Sequence, residues 1–250
     1  SVISFGEDES SDVKIRNIEV ETTFVVAKIL DQEKKLLDLK LKTSGTHYVN
    51  NATALLTLTA SLKLSPSKAI LALGKWTPSI GRGQVSEIKF KKGNSQIAIY
   101  LIDESYNANP GSMRCSLDTL ASIFTFKKSK RQHNRRIAVL GDMLELGSLE
   151  VKEHVNISKF AKLSQIDKIY CVGSRMRNLY DVLAFSKQGS WTETAQQMKN
   201  ILANKLKNGD IVMIKGSFSM RMNTIVSELE SCLLYTSDAA DDSFTCRSRW

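Results

Sequence analysis

Hydrophobic and polar positions divide the chain into two regimes. Residues 15–30, rich in β-branched side chains, and residues 36–41, where Leu36, Leu37, Leu39 and Leu41 bracket charged positions, read as strands of a hairpin or meander. After Gly45, residues 49–62 (VNNATALLTLTASL) are apolar enough and long enough for a buried helix despite their threonines. Pro66 opens a second helix over 66–73, for which Ser65 is a natural N-cap. The run Thr77-Pro78-Ser79-Ile80-Gly81-Arg82-Gly83 then breaks the pattern and predicts a boundary between domains at 1–80 and 81–233.

Beyond that boundary, strand-like and helical runs alternate. Strands are predicted at 97–102, 136–140, 168–172 and 210–214, and helices at 112–124, 150–163, 175–184, 192–207 and 220–233. Short β-branched runs separated by long helices imply right-handed βαβ crossovers and a mostly parallel sheet covered on both faces. The predicted fold class is α/β, with a doubly wound, mostly parallel, Rossmann-like second domain. Residues 234–250 (LYTSDAADDSFTCRSRW) have no periodicity and resemble translated sequencing-adapter read-through, so they are expected to be a non-native, disordered tail.

Composition narrows the classes. The 250 residues, 42% hydrophobic, suit one large or two modest domains. No stretch approaches the roughly 20 apolar residues of a membrane helix, and Ser1-Val2-Ile3-Ser4-Phe5 lacks a signal-peptide pattern, so a cytoplasmic location is expected. Cys115, Cys171, Cys232 and Cys246 lack C-x-x-C spacing and the 3 histidines share no spacing, which argues against a metal site or a disulfide framework. The formal charge of +9 is concentrated partly in Lys127, Lys128, Lys130, Arg131, Arg135 and Arg136. No aromatic residue is interleaved there, so a solvated loop is favoured over a nucleic-acid patch. A basic nucleic-acid-binding α/β module is the contrasting reading, and steep salt dependence of binding would mark it.

In an open parallel sheet, ligands gather at the C-terminal ends of strands. Three polar loops follow predicted strands: residues 103–110 (DESYNANP), 141–147 (GDMLELG) and 215–222 (KGSFSMRM), and they are expected to share one rim. Asp103 and Glu104 can accept from ribose hydroxyls or help hold a cation, while Asn107 and Asn109 supply donors and acceptors. The same residue types also build turns and cap helices. Lys215-Gly216-Ser217 lacks the glycine arc of G-x-x-x-x-G-K-[ST], and no segment of the chain carries that phosphate-binding motif. His47 and Asn51, four apart at a helix start, suit either a ligand at the helix N-terminus or a cap and core role; His154 is open in the same way.

Five pieces occur in a telling order. Gly45-Thr46-His47 through Asn51-Ala52 reads G-x-H-x-x-x-N-A, and Gly81-Arg82-Gly83-Gln84 follows. DESYNANPGSM follows over 103–113, then GDMLELG with His154, then Lys215-Gly216-Ser217 with Met220-Arg221-Met222. Together they resemble the Mur ligase family. The resemblance implies that 1–80 is the C-terminal part of a central ATP-binding domain and 81–233 a Rossmann-like C-terminal domain. It implies ATP-dependent amide formation with Mg2+, in which a phosphorylated carboxylate is attacked by an amine and basic groups stabilise the developing charge. The implied substrates are UDP-N-acetylmuramoyl-tripeptide and D-alanyl-D-alanine, in peptidoglycan precursor synthesis; another Mur step or a folylpolyglutamate synthase is the alternative.

By the same resemblance, His47 and Asn51 face adenine, Arg82 lies against base or phosphates, Glu104 holds ribose hydroxyls, and Tyr106 and Asn107 sit at the hinge. Relatives often carry Asp where Glu104 stands. Asp142, Glu145, Lys215, Ser217, Met220 and Arg221 are expected to confront the peptide substrates. The family's UDP-sugar-binding domain, phosphate loop, magnesium-binding Glu and His and modified lysine match nothing here. The catalytic residues are therefore unassigned, no metal ligand is named, and these 250 residues alone are expected to be inactive. A full-length monomer without membrane insertion or nucleic acid is expected.

Overall fold

A computed structural model describes residues 2–92, 95–123 and 134–231. Lys127, Lys128, Lys130 and Arg131 of the basic run, the last residues of the helices predicted to 124 and 233, Cys232, Cys246 and the 234–250 tail lie outside these residues.

The first 41 residues make a four-stranded sheet in the order β1 (Phe5–Gly6), β2 (Val13–Val20), β3 (Val25–Leu30) and β4 (Leu36–Leu41). Strands β2, β3 and β4 form an antiparallel meander, and β1 pairs parallel with β2. The single strand-like stretch at 15–30 is thus two strands, separated by a turn that Glu21 N–H closes on the Phe24 carbonyl. Alternation sets the faces: Val25, Ala27, Ile29, Leu37, Leu39 and Leu41 are buried, while Lys28, Asp38 and Lys40 are exposed. Helix α1 (His47–Ser61) buries Val49, Ala52 and Leu56, spaced three and four apart, in the same core. Its threonines suit a helix because Thr53 and Thr57 hydroxyls donate back to the Val49 and Thr53 carbonyls at 2.8 Å. Helix α2 (Pro66–Leu73) follows and buries no residue fully.

The second sheet has six strands in the order β5 (Gln84–Lys92), β6 (Ser95–Glu104), β10 (Ile211–Lys215), β7 (Arg136–Gly141), β8 (Lys168–Val172) and β9 (Gln188–Thr192). All neighbours are parallel except the antiparallel edge strand β5, which, like β9, the sequence reading left unassigned. Helices α3 (Pro110–Ser122) and α5 (Met176–Val182) cover one face, packing Met113, Leu117, Met176 and Leu179 against Ala138, Leu140, Cys171 and Met213. Helices α6 (Ala195–Lys205) and α7 (Asn223–Ser231) cover the other, packing Met198, Leu202, Ile225 and Leu229 against Ile137, Val139, Val172 and Ile214. Successive residues of each strand serve opposite faces, as the pleat requires.

The helix predicted over 150–163 is shorter. It runs as α4 (Glu150–Asn156) and passes into 3₁₀ turns at Ile157–Lys159 and Ala161–Gln165. Ile157, Phe160, Leu163 and Ile166 recur every third position and all pack on the core, a period that matches the tighter 3₁₀ turn. Arg135 and Arg136, at the end of the basic run, are engaged by the fold. Arg135 pairs with buried Asp210 at 2.6 Å, and Arg136 donates to the Ile123 carbonyl at 2.7 Å.

Candidate functional site

Three adjacent parallel strands place the polar loops on one edge. Lys215, last in β10, is in register with Glu104, last in β6, and with Leu140 in β7. The loops are then tied to one another. Ser217 Oγ accepts Leu144 N–H at 2.8 Å and donates to the Ala108 carbonyl at 3.4 Å, while Ser217 N–H donates to the Asp142 carbonyl at 3.0 Å. Lys215 Nζ donates to the Asn107 carbonyl at 3.0 Å and lies 3.3 Å from Glu104 Oε2. The common rim is in place.

Across this rim stands the N-terminal turn of α1, joined to it through the 79–83 turn. Asp103 organises that turn: its carboxylate accepts from Gly81 N–H and Ser105 N–H, each at 3.0 Å, and its carbonyl accepts from Gly83 N–H at 2.7 Å. Gly81 takes φ +75, and a Cβ there would sit 2.9 Å from the Tyr106 nitrogen, so only glycine fits. From the first sheet, Thr43 Oγ1 donates to the Gly83 carbonyl at 3.2 Å and Tyr48 OH donates to the Arg82 carbonyl. Asp103 is therefore occupied by backbone amides. Glu104 is the carboxylate that faces α1.

The expected nucleotide set gathers here. Helix α1 begins at His47, and its N-cap residue, Thr46, makes no side-chain capping bond; His47 Nδ1 is buried with no partner among the described residues. Burial pushes the His47 pKa down, with Lys215 adding to this and Glu104 opposing it, so the ring is neutral near pH 7. Burial, and then the Glu104 charge, push the Tyr48 hydroxyl pKa up. Asn51 is exposed one turn along the helix. The exposed Arg82 guanidinium lies 4.0 Å over the Tyr106 ring, whose other neighbour is Phe218 at 5.9 Å between centroids. Tyr106 is 45% and Phe218 71% exposed, which leaves a stacking surface open. Asn107 is exposed, with its Oδ1 accepting Ala108 N–H at 2.9 Å, and Asn109 is spent on a reciprocal capping box with Ser112 at the start of α3.

The six residues expected to confront peptide divide by burial. Asp142, Lys215 and Ser217 are 2%, 2% and 4% exposed and act within the protein. The Asp142 carboxylate accepts from Met176 N–H at 2.7 Å and Arg175 N–H at 3.2 Å, satisfying the free amides at the start of α5. It fits because Gly173, at φ +108, has no Cβ to meet it. Glu145 and Arg221 are exposed and Met220 is half-buried, so these three are the side chains of the set that can reach a ligand. His154 is fully buried: Nε2 accepts Met143 N–H at 3.0 Å and Nδ1 faces the Glu150 carbonyl at 2.6 Å, fixing the 141–147 loop and the Nδ1-protonated tautomer. Tyr48, Thr43 and Phe218 escaped the sequence reading. Of these, only Phe218, an aromatic residue inside a polar loop, carried a visible signal.

Among the described residues, no three or more His, Cys, Asp and Glu side chains gather as a metal site, and Glu104 is already paired with Lys215.

A sequence profile described as Mur ligase, glutamate ligase domain matches residues 89–218, more than half of the chain. The chain belongs to the Mur ligase family. This Mur ligase chain is 28% identical over 224 residues to the UDP-N-acetylmuramoyl-tripeptide–D-alanyl-D-alanine ligase of Escherichia coli (strain K12), covering 88% of the chain and 45% of that relative. It is 26% identical over 230 residues to the same-named ligase of Buchnera aphidicola, covering 91% and 46%. In fold it is similar to MurF from Acinetobacter baumannii, with a TM-score of 0.72 at 24% identity over 92% of the chain and 47% of that structure. It is likewise similar to MurF ligase from Thermotoga maritima in complex with ADP, with a TM-score of 0.73 at 21% identity over 93% and 49%. The Mur ligase chain spans about half the length of the curated relatives it matches.

Proposed function

We propose that this chain is the acceptor-facing and adenosine-facing part of an ATP-dependent ligase that adds D-alanyl-D-alanine to UDP-N-acetylmuramoyl-tripeptide. On this reading, residues 1–80 belong to the ATP-binding domain and 81–233 to the domain that receives the dipeptide. The observation that carries it is the convergence of the 103–110, 141–147 and 215–222 loops on one rim across from the start of α1. Names borne by the relatives supply the substrates.

ATP transfers its terminal phosphoryl group to an oxygen of the peptide carboxylate, releasing ADP; the resulting acyl phosphate is the electrophile that the amine attacks, and phosphate then leaves with that oxygen. This chain's part is to bind and orient. The exposed Asn51 amide, with the half-buried His47 ring one turn before it, offers donor and acceptor positions to an adenine edge, Arg82 on Tyr106 offers a flat cationic surface, and Glu104 accepts from ribose hydroxyls. Asn107 shapes the loop between them. On the acceptor side, D-alanyl-D-alanine is a small zwitterion with two methyl groups. Arg221 suits its carboxylate, Glu145 its ammonium and Met220 its methyls, on loops held by Asp142, Lys215 and Ser217. Glu145 and Arg221 both take left-handed backbone, at φ 63 and 51, a conformation costing roughly 1–3 kcal/mol that recurs at ligand-holding sites.

A chimera tests this reading. Residues 1–231 replace the matching portion of the Escherichia coli relative, and phosphate release is measured with UDP-N-acetylmuramoyl-tripeptide and a panel of acceptors. The chimera is expected to turn over with D-alanyl-D-alanine and not with glutamate, and the 250-residue chain alone to stay at background. Preference for glutamate would move the assignment to a folylpolyglutamate-type or other Mur step, and normal turnover by the chain alone would contradict the division of labour.

A further inference from the structure

The most unusual electrostatic feature of the rim is a lysine with almost no access to solvent. Lys215 closes a strand in which every residue is buried, and it is itself 2% exposed. An ammonium in that position needs partners, because burial without them is costly. Among the described residues it has two, from the end of the neighbouring strand and the loop that follows it: Glu104 Oε2 at 3.3 Å and the Asn107 carbonyl at 3.0 Å. So enclosed, Lys215 cannot readily meet a ligand itself. Any effect it has on binding must pass through what it holds.

Glu104 is held by one oxygen only. While Oε2 faces Lys215, Oε1 lies on the side of the 79–83 turn, 3.3 Å from where a Cβ on Gly83 would be, so that glycine there gives Oε1 its room. Among the described residues, the charged and titratable groups placed around Glu104 are Lys215 from β10, Asp103 beside it in β6, His47 and Tyr48 from α1, and, next to Tyr48, Arg82 from the turn. Of these, His47 is neutral, Arg82 is stacked on Tyr106, and Asp103 is committed to backbone amides. Lys215 is thus the cation that fixes the Glu104 side chain, in a loop that its own bond to Asn107 also fixes.

We propose that Lys215 is a positioning residue for Glu104: the buried ion pair anchors Oε2 so that Oε1 is presented to a vicinal diol, and Lys215 thereby sets the preference for a ribose over a sugar without hydroxyls. This rests on the reading above that Glu104 accepts from ribose hydroxyls. A purely structural lysine would lower stability and weaken all nucleosides alike; a positioning lysine acts on the hydroxyl-dependent part of binding alone.

The test titrates adenosine and 2′,3′-dideoxyadenosine into the whole chain to millimolar concentration, following amide signals, for the native protein and for Lys215→Met, Lys215→Gln and Lys215→Arg, with thermal unfolding as the folding control. The native chain is expected to favour adenosine by about tenfold, the size expected of one hydrogen bond to a charged acceptor. Lys215→Met is expected to lose that preference while binding dideoxyadenosine within about twofold of the native protein, and Lys215→Arg to regain part of it. Should Lys215→Met fail to fold, Lys215→Gln keeps a donor for the Asn107 carbonyl without the ion pair and is expected to show the same loss. A folded Met or Gln variant with the preference intact overturns the proposal and leaves the ribose reading standing. A native chain that treats the two nucleosides alike, or binds neither, overturns the ribose reading and the proposal with it.

Discussion

The His47 ring is a residue whose surroundings choose its protonation state. Its Nδ1 is buried without a partner and burial holds its pKa below the ordinary 6.5, whereas the unfolded chain keeps the ordinary value. The unfolded state therefore takes up the proton first on acidification. The His47 contribution to stability is fully present above pH 6.5 and is lost as pH falls through the folded-state pKa. Urea unfolding at a series of pH values from neutral to mildly acidic should show native protein losing stability faster than His47→Gln; parallel pH slopes would contradict the buried, neutral ring. At this scale the sequence was informative about residue type and silent about burial. Glu104 and Asn51 could be picked out as polar residues near a strand end and a helix start, and Arg82 only through the family resemblance. That Asp142 faces amides 33 and 34 positions away, and that Lys215 is sealed, are properties of packing between distant segments.

Among the elements, the rim depends on how closely β7 and β10 approach. A Cβ on Gly216 would lie 2.9 Å from Gly141 Cα and 2.7 Å from Met222 Cγ. Met222 can turn aside, but the Gly141 backbone is fixed by the sheet. Gly216→Ala is expected to destabilise the protein by about 1–3 kcal/mol in urea unfolding. Gly111→Ala, where the nearest atom is at an ordinary 3.5 Å inside α3, should be neutral or stabilising. Equal effects at the two positions would mean that the strands do not need this close contact. The buried strands β6, β7, β8 and β10 were legible as β-branched runs because both their faces are covered. Strand β9 was not, since its residues are mostly half-buried at an edge and carry no apolar alternation. Strand β5 was readable in principle: buried Ile88 and Phe90 alternate with exposed Glu87 and Lys89, the period of two of a strand with one covered face.

Over the whole molecule, two sheets built by different stretches of chain are linked through the 79–83 turn. Thr43 and Tyr48 bond the 79–83 turn from one side, and Asp103 bonds it from the other. The alternation of strands and helices was enough to anticipate the parallel sheet and its polar rim. The apposition of α1 to that rim was not readable from periodicity, since it rests on turn geometry at Gly81 and Gly83 and on side chains far apart in sequence.

On the proposed reading, the start of α1 and the rim of the second sheet form one adenosine-binding cleft. The most direct measurement is a map of amide shift changes on titrating adenosine into the chain. The changes should fall together in residues 45–51, 81–83 and 104–107, with one common saturation curve. Changes confined to a single one of these segments, or segments saturating at different concentrations, would contradict it.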